Sequence, residues 1–390
     1  MPARKRFHAK LAKTAKEEKK YKANVILTAF TLRIAKDNMK LRRIRTSGIA
    51  LAVLLFCTGS AFAHVKWFVE HDVSQPPTPI GDVLNGTFIK MFLAAVAFTY
   101  IFFLADRYIH EKGYLEKFDN SLKRFDGFAS YVMRASSGIF FLSLFVWYLY
   151  HGTTFYITPE LKTAAPWVPW FHLVMALAVA TRLSTPLTGV GIFVLYAAAI
   201  GEYGVFHMLD YVIFLGIGFF LITLGINTRG WLKSGFVTLF ACAGLTLIWA
   251  SIEKFGYAEW TFPLFAENPR MLMGLEPRTF MTLSGIVEFT ITFLLLGAAS
   301  VVGRLVSLGM MSIFVLAVFE FGIVDAVGHL MIVAILFVLI VRGPTDARNM
   351  LVLPDKSVFT EAYFMTGLYF LAFVMIFILY YGLHHLIFGQ

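Results

Sequence analysis

Ten long apolar segments between Thr87 and His385 constrain the fold of this chain more than any other feature of its sequence. A helix needs about 20 residues to cross the roughly 30 Å hydrocarbon core of a bilayer. The segments approach that length and lie near residues 87–105, 133–151, 165–181, 186–201, 207–226, 233–252, 279–299, 303–320, 324–342 and 362–383. The chain is 58% hydrophobic and only 15% charged, which excludes an ordinary soluble domain. The sequence therefore predicts an all-α, polytopic transmembrane helical bundle.

The net charge of +10 is concentrated at the amino terminus. Residues 1–63 contain 15 Lys and Arg against 3 Asp and Glu, which leaves 19 against 21 for the remainder. The membrane body is therefore nearly neutral, and no basic face accompanies the fold. Nucleic acid is excluded as a partner on this ground.

The amino-terminal region also carries the three parts of a secretory signal. A basic stretch begins at Met39, an apolar stretch covers residues 49–57, and Ala61-Phe62-Ala63 matches a cleavage site. We predict a signal peptide over 39–63 that is cleaved after Ala63; the alternative is an uncleaved span. In that case residues 1–38 are either a basic amino-terminal extension or the result of a misassigned start, with Met39 as the true first residue.

Lys and Arg residues in the connections give the predicted orientation. If export places residue 64 outside, the connections predicted to lie inside hold most of the basic residues of the membrane body, including Arg134, Arg182, Arg304 and Arg342. We therefore predict a multi-pass protein of the bacterial inner membrane, with the mature amino terminus and the carboxyl terminus both periplasmic. Residues 64–132 provide an exterior segment, the first span and an inner loop.

A short motif occurs twice, as Glu202-Tyr203-Gly204-Val205 and as Glu320-Phe321-Gly322-Ile323. Each copy closes an apolar stretch that opens with Ile-Phe-Val-Leu. This repetition predicts two four-helix units, at residues 133–226 and 233–342, with flanking spans and a final linker and span at 343–390.

Each motif is followed by one His and one Asp, which gives two candidate polar groups at the outer membrane face. They comprise Glu202, His207 and Asp210 in the first unit and Glu320, Asp325 and His329 in the second. A carboxylate and a histidine three or four residues apart share a helix face. Three interpretations remain open: proton coupling or hydrogen bonding to a quinone, a metal site, and helix-end structure.

Glu288 is the deepest charged residue of the apolar segments, nine residues into its span. It is interpreted either as a hydrogen-bonded core carboxylate or, with Glu253, as a group that handles protons. The aromatic loop after Glu253 contains Lys254 and Trp260, two candidate cofactor-binding residues, and it forms an interfacial belt or caps a cavity that admits an amphipathic substrate. His151 and His172 lie at the same face and join this candidate cofactor-binding set.

His64 and His71 form a candidate copper site. Cleavage after Ala63 would give His64 a free amine beside its imidazole, and these two nitrogens with the ring of His71 could chelate copper. The alternative is an ordinary polar amino terminus.

The second unit resembles the DoxX-like family of four-helix membrane proteins. The matching residues are Ala250-Ser251-Ile252-Glu253-Lys254-Phe255, Gly285-Ile286-Val287-Glu288, and Leu296-Gly297 leading to Arg304. The first unit is a weaker, divergent copy. The resemblance covers about 110 residues and implies association with membrane oxidoreductase systems, including small subunits of quinone-linked enzymes.

Three functions follow as hypotheses. The first is a component of a quinone-linked redox system with a periplasm-facing polar site, in which other membrane or periplasmic redox subunits are partners. The second is a membrane protein that handles copper or another metal, and the third is a non-catalytic subunit of a membrane complex. Haem and cysteine-cluster motifs are absent from the sequence.

Overall fold

The apolar segments form helices in the computed structural model, which describes residues 65–226, 228–343, 345 and 356–389. The long helices are α2 (Gly86–Glu111), α4 (Ala129–His151), α6 (Thr185–Met208), α7 (Val212–Ile226), α8 (Arg229–Gly256), α10 (Pro277–Gly297), α11 (Val302–Phe321), α12 (Ile323–Arg342) and α13 (Val358–Phe388). The shorter ones are α1 (Ile80–Val83), α3 (Glu116–Lys123), α5 (Val168–Ala178) and α9 (Phe262–Glu267). The predicted signal peptide, its cleavage site and His64 lie outside the described residues.

Short elements complete the described part of the chain. Two-residue strands β1 (Thr154–Phe155) and β2 (Lys162–Thr163) pair antiparallel, with Thr154 opposite Thr163. The 3₁₀ helices are Val65–Trp67, Asp126–Phe128, Leu209–Tyr211, Ala258–Thr261 and Pro269–Leu272.

Each of the ten predicted spans contains a helix, but the third is shorter than predicted. α5 has 11 residues, about 16 Å at 1.5 Å per residue, which is too short to cross a bilayer. At its carboxyl end, a side-chain hydroxyl group bonds a helix carbonyl: Ser184 Oγ donates a hydrogen bond to the carbonyl oxygen of Ala178 at 2.5 Å. Eight helical stretches of the described residues are long and apolar enough to cross a membrane, and one of them, Thr185–Ile226, contains both α6 and α7. The chain is therefore a multi-pass membrane protein with an all-α fold.

The two Glu-aromatic-Gly motifs are the corners of helical hairpins. Gly204 has φ 81° and ψ 162°, and Gly322 has φ 76° and ψ −153°. This region of backbone space is open almost only to glycine. After the first corner α7 runs back along α6, so that Gly225 in α7 lies against Pro186 in α6. The motif therefore reverses the chain direction at both positions.

Replacement of Gly322 by alanine is expected to lower the free energy of unfolding by about 1–3 kcal/mol, because a Cβ atom disfavours this conformation. Unfolding of the purified protein in mixed micelles, by titration with sodium dodecyl sulfate, measures the change. Gly309→Ala is the matched control, since Gly309 lies in helical α11 and a Cβ atom there meets nothing within 4 Å. Equal effects of the two substitutions would contradict a conformational role for Gly322.

Packing joins the two predicted four-helix units. α7 packs along α8 and α4 packs against α12, so that the first unit touches the second at both of these places. An apolar core lies between α2, α8, α10 and α13, where Phe88, Phe289, Phe373 and Tyr380 are buried. The flanking helices α2 and α13 are therefore packed against the second unit.

The alternation of helices separates two ends of the bundle. At one end, here called the arginine end, Arg107 pairs with Glu361 at 2.8 Å, Arg304 with Asp119 at 2.8 Å and Arg342 with Asp126 at 3.0 Å. The other end, here called the Lys66 end, contains both glycine corners. The basic residues predicted to share one membrane face do lie together, while the compartment that each end faces stays a prediction.

Candidate metal site

At the Lys66 end, two histidines and a glutamate that are distant in sequence meet around one oxygen atom. His71 Nε2 lies 2.8 Å from Glu160 Oε1, and His207 Nε2 lies 2.5 Å from the same atom. One ligand atom from each residue can be chosen so that all three lie within 4.8 Å of one another. Glu160 and His207 are buried and His71 is half-buried. We call this group the His–Glu site.

Glu160 reaches the His–Glu site because the β1–β2 turn folds into the protein. Ile157 and Leu161, on either side of it, are completely buried. Backbone hydrogen bonds close the turn, from Tyr156 N to Leu161 O at 2.7 Å and from Leu161 N to Thr158 O at 3.1 Å. The apolar side chains therefore hold the turn inward and carry the carboxylate with them. The Tyr211 hydroxyl donates a hydrogen bond to the second oxygen, Oε2.

The two histidines come from opposite parts of the sequence. His207 lies in the last turn of α6, three residues after the corner glycine Gly204. The chain changes direction at Gly204, and this turn therefore lies over the bundle. His71 belongs to the extended segment before α1, and its Nδ1 lies 3.2 Å from the carbonyl oxygen of Val69. A backbone carbonyl on the second ring nitrogen is typical of histidines that bind metals through the first.

The two ring nitrogens of His71 each face an oxygen atom that accepts hydrogen bonds. Burial alone would raise the pKa of Glu160, but the charge of Lys66 and the hydrogen bonds from His207 and His71 outweigh burial and hold that pKa well below its usual value. Glu160 is therefore an ionised acceptor, and the Val69 carbonyl is also only an acceptor. A neutral imidazole has one N–H and can satisfy only one of the two. A cation between Nε2 and Glu160 would remove this conflict, because Nδ1–H could then bond the Val69 carbonyl.

A buried lysine network adjoins the His–Glu site. Lys66 Nζ lies 2.8 Å from Asp210 Oδ2 and 2.6 Å from Glu253 Oε1, and all three residues are buried. Burial alone would lower the pKa of Lys66, but the charges of Asp210 and Glu253 raise it well above its usual value. Lys66 is therefore an ammonium ion. We call these three residues the Lys66 network.

Several residues predicted from the sequence therefore meet, but not in the predicted groups. His207 contacts Glu160, whereas Asp210, three residues later, contacts Lys66. Trp260 borders both groups, since its ring lies 5.3 Å from the ring of His71 and 5.8 Å from Lys66 Nζ.

The second polar group lies apart from the His–Glu site. Its expected contact is present, with His329 Nδ1 at 3.0 Å from Asp325 Oδ2. The ring of His329 packs between Trp67, at 4.6 Å, and Phe314, at 4.7 Å. Asp325 and His329 therefore form a separate buried pair.

Three of the remaining candidates lie at the surface of the protein. Glu202 and Glu320 are exposed, and Glu320 accepts a hydrogen bond from Asn268. His151 is exposed and stacks on Trp147.

Two further predicted residues also lie apart from the site. His172 is buried, with Nε2 at 2.9 Å from the carbonyl oxygen of Tyr156. Glu288 pairs with Lys254, whose Nζ lies 2.5 Å from Oε2.

Sequence reasoning missed Glu160 and Lys66. One signal for Glu160 was available, since it is the only acidic residue between Asp126 and Glu202. A lone carboxylate placed among buried apolar residues is costly unless it is paired. That signal would have indicated a partner without identifying it.

The fold and the site together define the chain as a multi-pass membrane protein with a largely buried group of two histidines and one carboxylate. Neither a family model nor a curated protein nor a solved structure matches the chain.

Proposed function

We propose that this membrane protein binds a divalent transition-metal ion through His71, Glu160 and His207. The observation that carries the proposal is the position of His71 between two hydrogen-bond acceptors, Val69 O and Glu160 Oε1, at 3.2 and 2.8 Å. A metal ion bound to Nε2 would leave the Nδ1 proton free to bond the carbonyl. Both acceptors would then be satisfied by a neutral imidazole.

The donor set favours copper or zinc. Imidazole nitrogens suit Zn²⁺ and Cu²⁺, whereas Mg²⁺ and Ca²⁺ prefer oxygen ligands. Two histidines and one carboxylate also form catalytic zinc sites, in which the fourth position stays open for water or substrate. Three ligands from this chain likewise leave room for a further ligand, which suits metal handling or metal-assisted chemistry better than a purely structural site.

Metal titration of the purified full-length protein tests the proposal. The protein, in detergent and freed of metal by a chelator, is titrated separately with Cu²⁺ and Zn²⁺ and then desalted. We expect about one ion per chain to remain, as for a single site with three protein ligands. Retention of neither ion would contradict the proposal and would favour a direct contact between His71 and Glu160 without a metal.

A second candidate function rests on the Lys254–Glu288 ion pair. Lys254 and Glu288 come from two of the three motifs that carry the resemblance to the DoxX-like family, and Lys254 Nζ lies 2.5 Å from Glu288 Oε2, with side chains 16% and 18% exposed. A partly exposed donor and acceptor could hydrogen-bond the head group of a quinone. This supports the quinone-linked redox component as the alternative.

Quinone binding discriminates the second candidate from the first. Lipid extraction of the purified protein, followed by chromatography, should recover quinone from the wild type and less from Glu288→Gln if Glu288 holds the head group. Glu259→Gln is the control, since Glu259 is an exposed carboxylate paired with Arg278. A quinone-free wild type would remove this candidate and leave the metal proposal unaffected.

A further inference from the structure

His71 lies on a short segment, residues 65–71, that crosses the Lys66 end and touches helices from both predicted units. We define this segment as the strap. It contributes one of the three ligands of the His–Glu site, whereas Glu160 and His207 come from the bundle itself. The position of the strap therefore decides whether the third ligand reaches the site.

Lys66 fastens the strap to the bundle beside the His–Glu site. Its ammonium group pairs with Asp210 at 2.8 Å and with Glu253 at 2.6 Å. Asp210 lies three residues after His207, so this contact joins the strap to the chain segment that carries a second ligand. Because all three residues are buried, undocking the strap would leave charged groups without the pairing that offsets their burial.

Trp67 packs the strap against α12 at Gly328, where a residue with a side chain would clash with the indole ring. A Cβ atom built at Gly328 would lie 2.0 Å from Trp67 Cη2. The Trp67 ring also packs on the ring of His329, with 4.6 Å between the ring centroids. The next residue, Phe68, packs on Phe321, with 5.1 Å between the ring centroids. Two consecutive aromatic residues therefore dock on the second hairpin.

We propose that Lys66 and Trp67 are positioning residues for metal binding, which dock the strap and thereby deliver His71 to Glu160 and His207. This proposal rests on the metal-binding function proposed above. Docking and metal binding are then thermodynamically linked, because the bound ion holds only the docked strap and the docked strap completes the ligand set.

Substitution of Trp67 tests the proposal without changing a ligand. Trp67→Ala is expected to weaken Cu²⁺ binding by the full-length protein about 10- to 100-fold, the range found when residues that orient metal ligands are removed. Trp67→Phe, which keeps an aromatic ring, should restore most of the affinity. Trp170→Ala is the matched control, since Trp170 is 55% exposed in α5.

The electron paramagnetic resonance spectrum of bound Cu²⁺ separates positioning from a general loss of stability. Loss of His71 from the coordination sphere should give Trp67→Ala the spectrum of His71→Ala, and Trp67→Phe the spectrum of the wild type. Wild-type affinity and spectrum in Trp67→Ala would overturn the positioning role alone. A wild type that binds no Cu²⁺ or Zn²⁺ would overturn the metal site, and the positioning role with it.

Gly328→Ala approaches the same contact from the other side and applies if Trp67→Ala does not fold. The added methyl group should displace the Trp67 ring and weaken Cu²⁺ binding in the same direction. Gly367→Ala is its control, because a Cβ atom at Gly367 meets nothing within 4 Å. Equal Cu²⁺ affinity of the two glycine variants would also overturn the proposal.

Discussion

Replacement of Glu160 by glutamine is expected to weaken binding of Cu²⁺ and Zn²⁺ by more than about 100-fold, beyond the effect of removing a residue that only orients a ligand. Glutamine has nearly the shape of glutamate, so the β1–β2 turn can keep its buried neighbours Ile157 and Leu161. The substitution removes the negative charge that both imidazoles face and replaces one carboxylate oxygen with an NH₂ group, which cannot bind a metal ion. Affinity is measured on the purified full-length protein by competition with a chelator of known strength.

Glu202→Gln is the control for this prediction. It also distinguishes the site predicted from the sequence, which contains Glu202, from the His–Glu site, which contains Glu160. The sequence motif placed Glu202 in the candidate polar group, whereas the structure places it on the surface of α6. We expect Glu202→Gln to retain wild-type affinity. If Glu160→Gln bound metal as tightly as the wild type, or if Glu202→Gln lost binding instead, the assignment of ligands would be wrong.

Replacement of Lys66 by methionine is expected to lower the free energy of unfolding by about 3–5 kcal/mol, the cost of removing one partner from a buried ion pair. Methionine retains an unbranched side chain of similar reach but removes the ammonium group that lies between Asp210 and Glu253. Unfolding in mixed micelles measures the change. Because the folded-state pKa of Lys66 is raised, its contribution is fully present below about pH 10 and is lost only above that range.

Two further variants make the Lys66 prediction specific. Lys162→Met should change the free energy of unfolding by less than about 0.5 kcal/mol, since Lys162 is exposed on β2. The triple variant Lys66→Met, Asp210→Asn, Glu253→Gln should recover part of the loss, because it neutralises the carboxylates that the single variant leaves buried. A triple variant less stable than Lys66→Met would argue that the carboxylates stabilise the fold by other contacts.

The positions of the helices and corners could be predicted from the sequence because they depend on local properties, although α5 is shorter than its apolar segment. Apolar length locates the spans, and the glycine of each Glu-aromatic-Gly motif indicates a position that other residues disfavour. The Asp325–His329 contact was predictable for the same reason, since a separation of four residues on a helix fixes the distance.

The candidate site depends on contacts that no local pattern encodes. Lys66 and Asp210 are 144 residues apart, and Glu160 belongs to a turn between strands of two residues each. The histidine that follows a corner by three residues indicated a polar position but not its partner. Helical spacing therefore favoured Asp210 for His207, whereas the structure pairs His207 with Glu160 from the inward-folded turn.

The route of the strap also sets an order of assembly during synthesis. Residues 65–71 emerge from the ribosome early, but Lys66 pairs with Glu253, which is made 187 residues later, and Trp67 packs against Gly328, which is made 261 residues later. The strap has no complete docking surface until α12 has been made. The strap can therefore hold His71 in place only in a nearly finished chain, and the metal binding proposed for this site would be a late step in the maturation of the protein.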